Sequence, residues 1–249
     1  MSSEMNPIQT NFFDSIKTQY QFKLRAHHGM FSTMIIVQII ALFLGYNSVG
    51  SGINNVSVNS VVYSGEAIII LTIAWAAIMG FRLTMKQSKN MMFTFVTDRK
   101  TNHISNVLFI VTLSIIGGIS AYLLSFIFKI SMYLWKGSEN LLFIEEITLN
   151  GLLVGLSATV LYALLLAAFA YFIGEVIQLH KVFAVIVPVF IFGFIIISAN
   201  LDHVEWINRI VPFVLFEENF HLFVVKCMSI SIVLFFLASV IGLRLEVRK

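Results

Sequence analysis

The sequence predicts an all-α membrane protein with six transmembrane helices, and composition is the main reason. Hydrophobic residues make up 58% and charged residues 12% of the 249 positions, with a mean hydropathy of +0.90. In soluble domains about a quarter of the residues are charged. The 24 Phe and 3 Pro favour long apolar helices over the alternating strands of a membrane β-barrel. Six spans of about 20 residues use most of this length, so a large soluble catalytic domain is excluded.

Residues 1–29 are predicted to form a cytoplasmic amphipathic helix, with Asn6 as the N-cap and Pro7 at the first helical position. Apolar residues then recur at helical spacing, at Ile8, Phe12, Phe13, Ile16, Tyr20 and Leu24. Charged residues lie between them, at Asp14, Lys17, Lys23 and Arg25. We expect this helix to rest in the headgroup layer, with its apolar face in lipid and its lysines against anionic phosphates. The alternative is a helix packed on a protein partner.

Six apolar runs form the predicted transmembrane domain, which covers residues 30–249. The runs are residues 30–46, 61–81, 106–128, 149–173, 182–199 and 222–243. Helices are expected because each span must satisfy its own backbone hydrogen bonds in hydrocarbon. The first and fifth runs are the shortest. In the fourth run Gly151 and Gly155 have the spacing that lets two helix backbones approach closely, either within the chain or in a dimer.

The distribution of lysine and arginine predicts the orientation, because positive charge near span ends resists translocation. With the amino terminus inside, twelve of the 16 basic residues fall on the cytoplasmic side: Lys17, Lys23, Arg25, Arg82, Lys86, Lys89, Arg99, Lys100, Lys181, Arg244, Arg248 and Lys249. The others are Lys129, Lys136, Arg209 and Lys226. We therefore expect a multi-pass protein of the cell membrane with both termini in the cytoplasm.

The cytoplasmic segment 82–105, between the second and third spans, combines basic residues with a small apolar group. A basic segment with an apolar knob is a plausible docking surface for a soluble partner. The alternative is a second helix lying on the lipid surface. The residues expected to contact the partner are Lys86, Lys89, Met91, Met92, Phe93, Phe95 and Arg99.

The outer segment 202–220 precedes the last span. Its apolar residues fall largely on one helical face, and Pro212 interrupts the helix by removing a backbone donor. We expect a bent, partly re-entrant lid rather than a solvated loop. Its main residues are Trp206, Ile207, Ile210 and Pro212.

Polar residues at membrane depth are candidates for a substrate path, since their burial in lipid costs a few kcal/mol. Gln38 lies near the middle of the first span and Glu66 near the outer end of the second. Glu66 has alternatives, because its side chain can also reach the outer interface or pair with Lys129 or Lys226. Glu175, at the cytoplasmic end of the fourth span, is interpreted as a helix-end charge or a contact with segment 82–105.

A nucleotide site and a metal site are not expected in this chain. Gly45 and Gly50 have the spacing of a phosphate-binding loop, but Ser51 occupies the position of the required lysine. The single Cys227 excludes an intramolecular disulfide and a cysteine-based metal site. A net charge of +3 is too small for a nucleic-acid partner.

An intramembrane protease is the enzymatic alternative that the sequence raises. The stretch around Ser157 is similar to the rhomboid serine motif, but the glycine after the serine is missing and no span carries a histidine in its interior to act as a base. Ser157 is therefore expected to bond back to its own helix. Glu145 and Glu146 are similar to the paired glutamates of another membrane protease family, but Asn150 stands where that family has an arginine.

The whole layout resembles the ABC type-2 permease family, the membrane subunits of many bacterial exporters. Two local patterns carry the resemblance: residues 81–99, with Phe93-Thr94-Phe95 before Arg99, and residues 206–213, with Pro212 near the end. At residues 97–98, Thr-Asp stands where the family usually has proline.

The resemblance implies a cytoplasmic coupling helix between spans 2 and 3 and a re-entrant segment before span 6. It also implies two permease subunits, in a homodimer or heterodimer, and a separate cytoplasmic ABC ATPase that binds ATP and Mg²⁺. The expected function is export of an amphipathic or hydrophobic substrate, such as a peptide, drug or lipid-like molecule. A non-transporting membrane scaffold or sensor is the alternative.

Overall fold

The computed structural model describes residues 12–46, 65–85, 99–136, 148–179, 182–200 and 219–245, and these residues are almost entirely helical. Their helices are α1 (Phe12–Ala26), α2 (His28–Tyr46), α3 (Glu66–Thr84), α4 (Arg99–Lys136), α5 (Leu149–Leu179), α6 (Phe183–Asn200) and α7 (Phe220–Leu245). The predicted all-α class is therefore confirmed.

Five of these helices are long and apolar enough to cross a membrane, namely α2, α3, α4, α5 and α7. They correspond to the predicted spans 1 to 4 and 6. Helix α6 coincides with the predicted fifth span, residues 182–199, but it is not one of the five. Six spans therefore remain a prediction.

Helix α4 is much longer than the predicted third span, residues 106–128. It has 38 residues, which corresponds to about 57 Å at the usual rise per residue. This exceeds the hydrocarbon thickness of about 30 Å. The predicted span ends where polar residues interrupt the apolar run on each side. A helix can continue past these points, because its backbone hydrogen bonds form equally well in the headgroup region. The helix thus continues through residues 99–105 and 129–136, on either side of the predicted span.

Helix α5 lies at the centre of the bundle, where it packs against α3, α4, α6 and α7. Helix α2 packs on α3, and α1 packs on α4. The largest cluster of buried apolar side chains joins α2, α3, α4, α5 and α7. Because lipid is as apolar as these side chains, close packing rather than exclusion of water must hold the helices together.

Small residues make this close packing possible. A Cβ on Gly80 of α3 would overlap the carbonyl oxygen of Ala167 on α5, and a Cβ on Gly174 of α5 would overlap the side chain of Thr84. On α5, a Cβ at Gly155 would come within 2.5 Å of the Tyr122 hydroxyl of α4. Gly155 therefore serves a contact within the chain, one of the two predicted roles for this glycine pair.

Candidate functional site: a buried polar cluster at one end of the bundle

The buried face of α1 differs from the predicted one. Ile16, Gln19 and Lys23 are buried, whereas Phe12 and Phe13 are 46% and 80% exposed. The expectation that Lys23 faces lipid phosphates is therefore wrong, because its side chain is fully buried against α4. Lys23 lies seven residues after Ile16, which is about two helical turns, so both side chains point to the same neighbour.

The ammonium group of Lys23 binds oxygen atoms on the first two turns of α4. Its Nζ donates to the backbone oxygen of Asn102 at 3.0 Å, to Oδ1 of Asn102 at 2.9 Å and to Oδ1 of Asn106 at 2.5 Å. It also donates to the hydroxyl of Ser105. Four oxygen acceptors thus surround a cation that has left water, and they offset part of its desolvation.

Burial shifts the proton affinity of two groups near α1. It lowers the pKa of Lys23 from 10.5 to about 7. It also lowers the pKa of His27, between α1 and α2, to which the charges of Lys23 and Arg82 add a smaller effect in the same direction. The backbone oxygen of Lys23, 3.2 Å from His27 Nδ1, acts in the opposite sense. Lys23 and His27 therefore hold their protons less tightly than in water.

Asn106 continues the polar contacts from α4 to α5. Its Nδ2 donates to the hydroxyl of Tyr171 at 3.2 Å, and this hydroxyl also lies 2.9 Å from Nδ1 of His103. Tyr171 is fully buried and His103 is 8% exposed. Hydrogen bonds therefore connect Lys23 on α1 to His103 through the side chains of Asn106 and Tyr171.

Glu175 and Gly242 complete the cluster. Glu175 is fully buried, one helical turn after Tyr171 on α5. A Cβ on Gly242 of α7 would overlap Cε1 and Nε2 of His103 and would lie 3.5 Å from Oε2 of Glu175. We call Lys23, Asn106, Tyr171, His103 and Glu175 the polar cluster. The interpretation of Glu175 as a helix-end charge describes its place in the chain but misses its burial.

His103, Asn106 and Tyr171 are not among the residues predicted from the sequence, although one signal in the sequence indicates Asn106. Asn102, Ser105 and Asn106 are polar residues spaced three and four apart, which places them on one helical face. If the third span is extended toward Arg99, this polar face lies at membrane depth. Its side chains then need hydrogen-bond partners on a neighbouring helix.

Gln38 lies in a second buried polar contact, between α2, α3 and α4. It is 6% exposed, and its Nε2 lies 2.8 Å from Oγ of Ser120 and 3.5 Å from Oγ1 of Thr72. Nearby, Trp75 Nε1 donates to Oγ1 of Thr33 at 3.1 Å. Gln38 thus joins three helices within the chain, and its predicted place on a substrate path stays a prediction.

Two of the other predicted site residues, Glu66 and Arg99, lie in described helices. Glu66 is exposed in the first turn of α3, and Arg99 is the first residue of α4. The remaining ones lie outside the described residues: Lys86, Lys89, Met91, Met92, Phe93, Phe95, Trp206, Ile207, Ile210 and Pro212.

Ser157 behaves as the sequence predicts. Its Oγ donates to the backbone oxygen of Leu153 at 2.6 Å and lies 3.0 Å from that of Val154, both on its own helix. Within the described ranges, no group of three or more His, Cys, Asp or Glu side chains is arranged to hold a metal ion.

No protein-family model, curated protein or solved structure matches this chain.

Proposed function

We propose that this chain is the permease subunit of an ATP-driven exporter in the cell membrane. In this proposal a second permease subunit completes the pathway, and a cytoplasmic ABC ATPase binds ATP and Mg²⁺ and hydrolyses the nucleotide. The substrate is amphipathic or hydrophobic, because the apolar helices offer few charges to a small polar ion.

The observation that carries the proposal is the position of α4. Its first residue, Arg99, is also the last residue of the predicted ATPase contact, residues 86–99. A single helix of 38 residues then runs from that contact through the bundle. A displacement of the contact segment by a soluble partner would therefore act directly on a long helix that packs against the central helix α5.

Helix α1 supports the same mechanism. The contacts of the Lys23 amino group with four oxygen atoms attach α1 to the first two turns of α4, immediately after Arg99. Movement at the base of α4 would thus carry α1 with it. A peripheral helix joined in this way to the base of a transmembrane helix is suited to transmit force along the membrane surface.

Photocrosslinking tests the proposal at the predicted contact. A photoreactive amino acid at position 93 should crosslink, in the cells that make the protein, to an ATPase with a phosphate-binding lysine. The purified protein should carry ATP hydrolysis, and Phe93→Ala with Phe95→Ala should remove both crosslinked partner and hydrolysis. Burying one Phe is worth roughly 1.5–3 kcal/mol, so the double change should be sufficient.

The matched control replaces two exposed phenylalanines on other helices with alanine. Phe190 is 75% exposed and Phe236 is 67% exposed, so Phe190→Ala with Phe236→Ala should retain the ATPase. A protein that inserts in the membrane but has no associated ATPase would favour a scaffold or sensor instead. Equal loss in both double variants would show only that membrane insertion is impaired.

A further inference from the structure

Three ionisable side chains of the polar cluster lie together inside the bundle. Tyr171 and Glu175 are fully buried, and His103 is 8% exposed. Isolated charges at membrane depth cost at least a few kcal/mol, so such groups usually have a partner or a function. The proposed export mechanism uses none of the three.

The hydrogen bonds of the cluster have a defined direction. Protonated Lys23 can only donate, so in this state Oδ1 of Asn106 faces it and Nδ2 of Asn106 faces the oxygen of Tyr171. The Tyr171 hydroxyl accepts from Asn106, and its oxygen lies 2.9 Å from Nδ1 of His103. Because a buried hydroxyl proton needs an acceptor, we assign it to Nδ1. Nδ1 is then an acceptor, so in the neutral imidazole the proton sits on Nε2.

Nε2 of His103 and the carboxylate of Glu175 both lie near Gly242 of α7. A Cβ on Gly242 would overlap Nε2, and the same point is 3.5 Å from Oε2 of Glu175. Only a glycine at this position of α7 leaves space for the imidazole beside the carboxylate. Both groups therefore lie next to α7 at Gly242, close enough to each other for a shared proton to be considered.

We propose that His103 and Glu175 form a proton-binding pair whose tautomer and position are set by Lys23, Asn106 and Tyr171. The pair takes up one proton from water, so that an imidazole and a carboxylate with net charge −1 become an imidazolium–carboxylate or imidazole–carboxylic acid pair of net charge 0. The neutral pair is the form that a buried site tolerates best.

The surroundings contribute further charges to this site. Among the described side chains, the ionisable groups at this end of the bundle, apart from Glu175 itself, come from α1 (Lys23), the junction of α1 and α2 (His27), α3 (Arg82), α4 (Lys100 and His103) and α5 (Tyr171), whereas α7 presents Gly242. Arg82 and Lys100 are exposed and therefore screened by water. Lys23 is the buried cation, and it acts on the pair through Asn106 and Tyr171.

The site lies one helical turn from Arg99, where α4 begins. Proton occupancy would therefore alter the packing of α7 on the base of α4. This inference does not require an ATPase partner, and its failure would leave the proposed export function untouched.

Nitrogen-15 NMR of the full chain in lipid vesicles tests the pair. The protein has six histidines, and the His103 signal is the one lost in His103→Gln. We expect the Nε2–H tautomer in the wild type and a gain of the Nδ1–H tautomer in Tyr171→Phe. An unchanged tautomer in Tyr171→Phe would overturn the role of Tyr171 in positioning His103.

The nitrogen-15 signal of His103 also tests whether Glu175 is its partner. The pH midpoint of His103 should shift in Glu175→Gln and stay at the wild-type value in Glu66→Gln, an identical change at an exposed residue on the opposite end of the bundle. Equal midpoints in the two variants would overturn the pair. If Glu175→Gln does not fold, the pair can be tested in the wild type by magnetisation transfer from His103 Nε2–H to a ¹³C-labelled glutamate carboxyl. Absence of this transfer would overturn the pair.

Discussion

Lys23 Nζ lies 2.5 Å from Oδ1 of Asn106, and this contact places a cation of the amphipathic helix inside the bundle. It fixes which side of the Asn106 amide faces α1 and which faces Tyr171. Helix α1 is thus attached by directional bonds to a transmembrane helix, in addition to any affinity for lipid.

Docking of α1 is expected to strengthen as the pH rises above about 7. The pKa of Lys23 is 10.5 when its side chain is free and about 7 when it is buried. Between these values the undocked state binds more protons than the docked state, so raising the pH favours docking, by at most about 1.4 kcal/mol per pH unit. Below about pH 7, Lys23 is protonated in both states, and this dependence disappears.

A spin label at position 17 measures this docking. Lys17 is exposed on α1, so Lys17→Cys in a Cys227→Ser background accepts the label without disturbing the buried face. The label should become less mobile as the pH rises above neutral. Lys23→Met should abolish this response, and Arg25→Met, at an exposed position of the same helix, should retain it. A response that survives in Lys23→Met would assign the titration to another group.

Gly80→Ala is expected to destabilise the protein through the contact between α3 and α5. The new Cβ would overlap the carbonyl oxygen of Ala167, a backbone atom that cannot rotate away. Overpacking of this kind costs about 1–3 kcal/mol. The free energy of unfolding in detergent or bicelles measures the effect.

Gly29→Ala is the control for that measurement. Gly29 also lies in a helix, α2, but no atom lies within 4 Å of its added Cβ. Alanine should therefore stabilise this position by up to about 1 kcal/mol, because it is the better helix former. Equal effects of the two substitutions would contradict the close contact at Gly80.

Gln38 and Ser120 should be energetically coupled. Their side chains are 2.8 Å apart, and hydrogen bonds between membrane helices contribute about 0.6 kcal/mol on average. A double-mutant cycle with Gln38→Leu and Ser120→Ala should give a coupling of about this size. The cycle that pairs Gln38→Leu with Ser131→Ala, an exposed serine farther along α4, should be additive. Zero coupling at Ser120 combined with impaired export would indicate that Gln38 acts on the substrate path instead.

The predicted orientation can be measured by cysteine labelling. In a Cys227-free background, an impermeant thiol reagent should label single cysteines at Ser51, Ser138 and Asn208 in intact cells. Cysteines at Ser2 and Lys249 should react only after the membrane is opened, because most basic residues lie on their side. Labelling at position 249 in intact cells would reverse the orientation.

The bundle could be predicted largely from the sequence, because a transmembrane helix must be an uninterrupted apolar run. The limits of α4 could not, since hydropathy records where hydrocarbon ends, and this helix continues past that point to Arg99 and Lys136. Periodicity alone marked the place of Lys23, which lies on the same face as Ile16 and Tyr20. The predicted place of its charge at the lipid surface is wrong. Hydrophobicity cannot show that Asn102, Ser105 and Asn106 of a neighbouring helix provide hydrogen-bond acceptors for it.

The glycine contacts of α5 have a consequence for movement. Gly80 meets Ala167 and Gly174 meets Thr84, so α3 and α5 touch at two levels. Helix α4 is held to α5 at two further levels, Gly118 with Val160 and Gly155 with Tyr122. Two points of contact prevent one helix from pivoting on the other. We therefore expect α3, α4 and α5 to move together when the protein changes conformation.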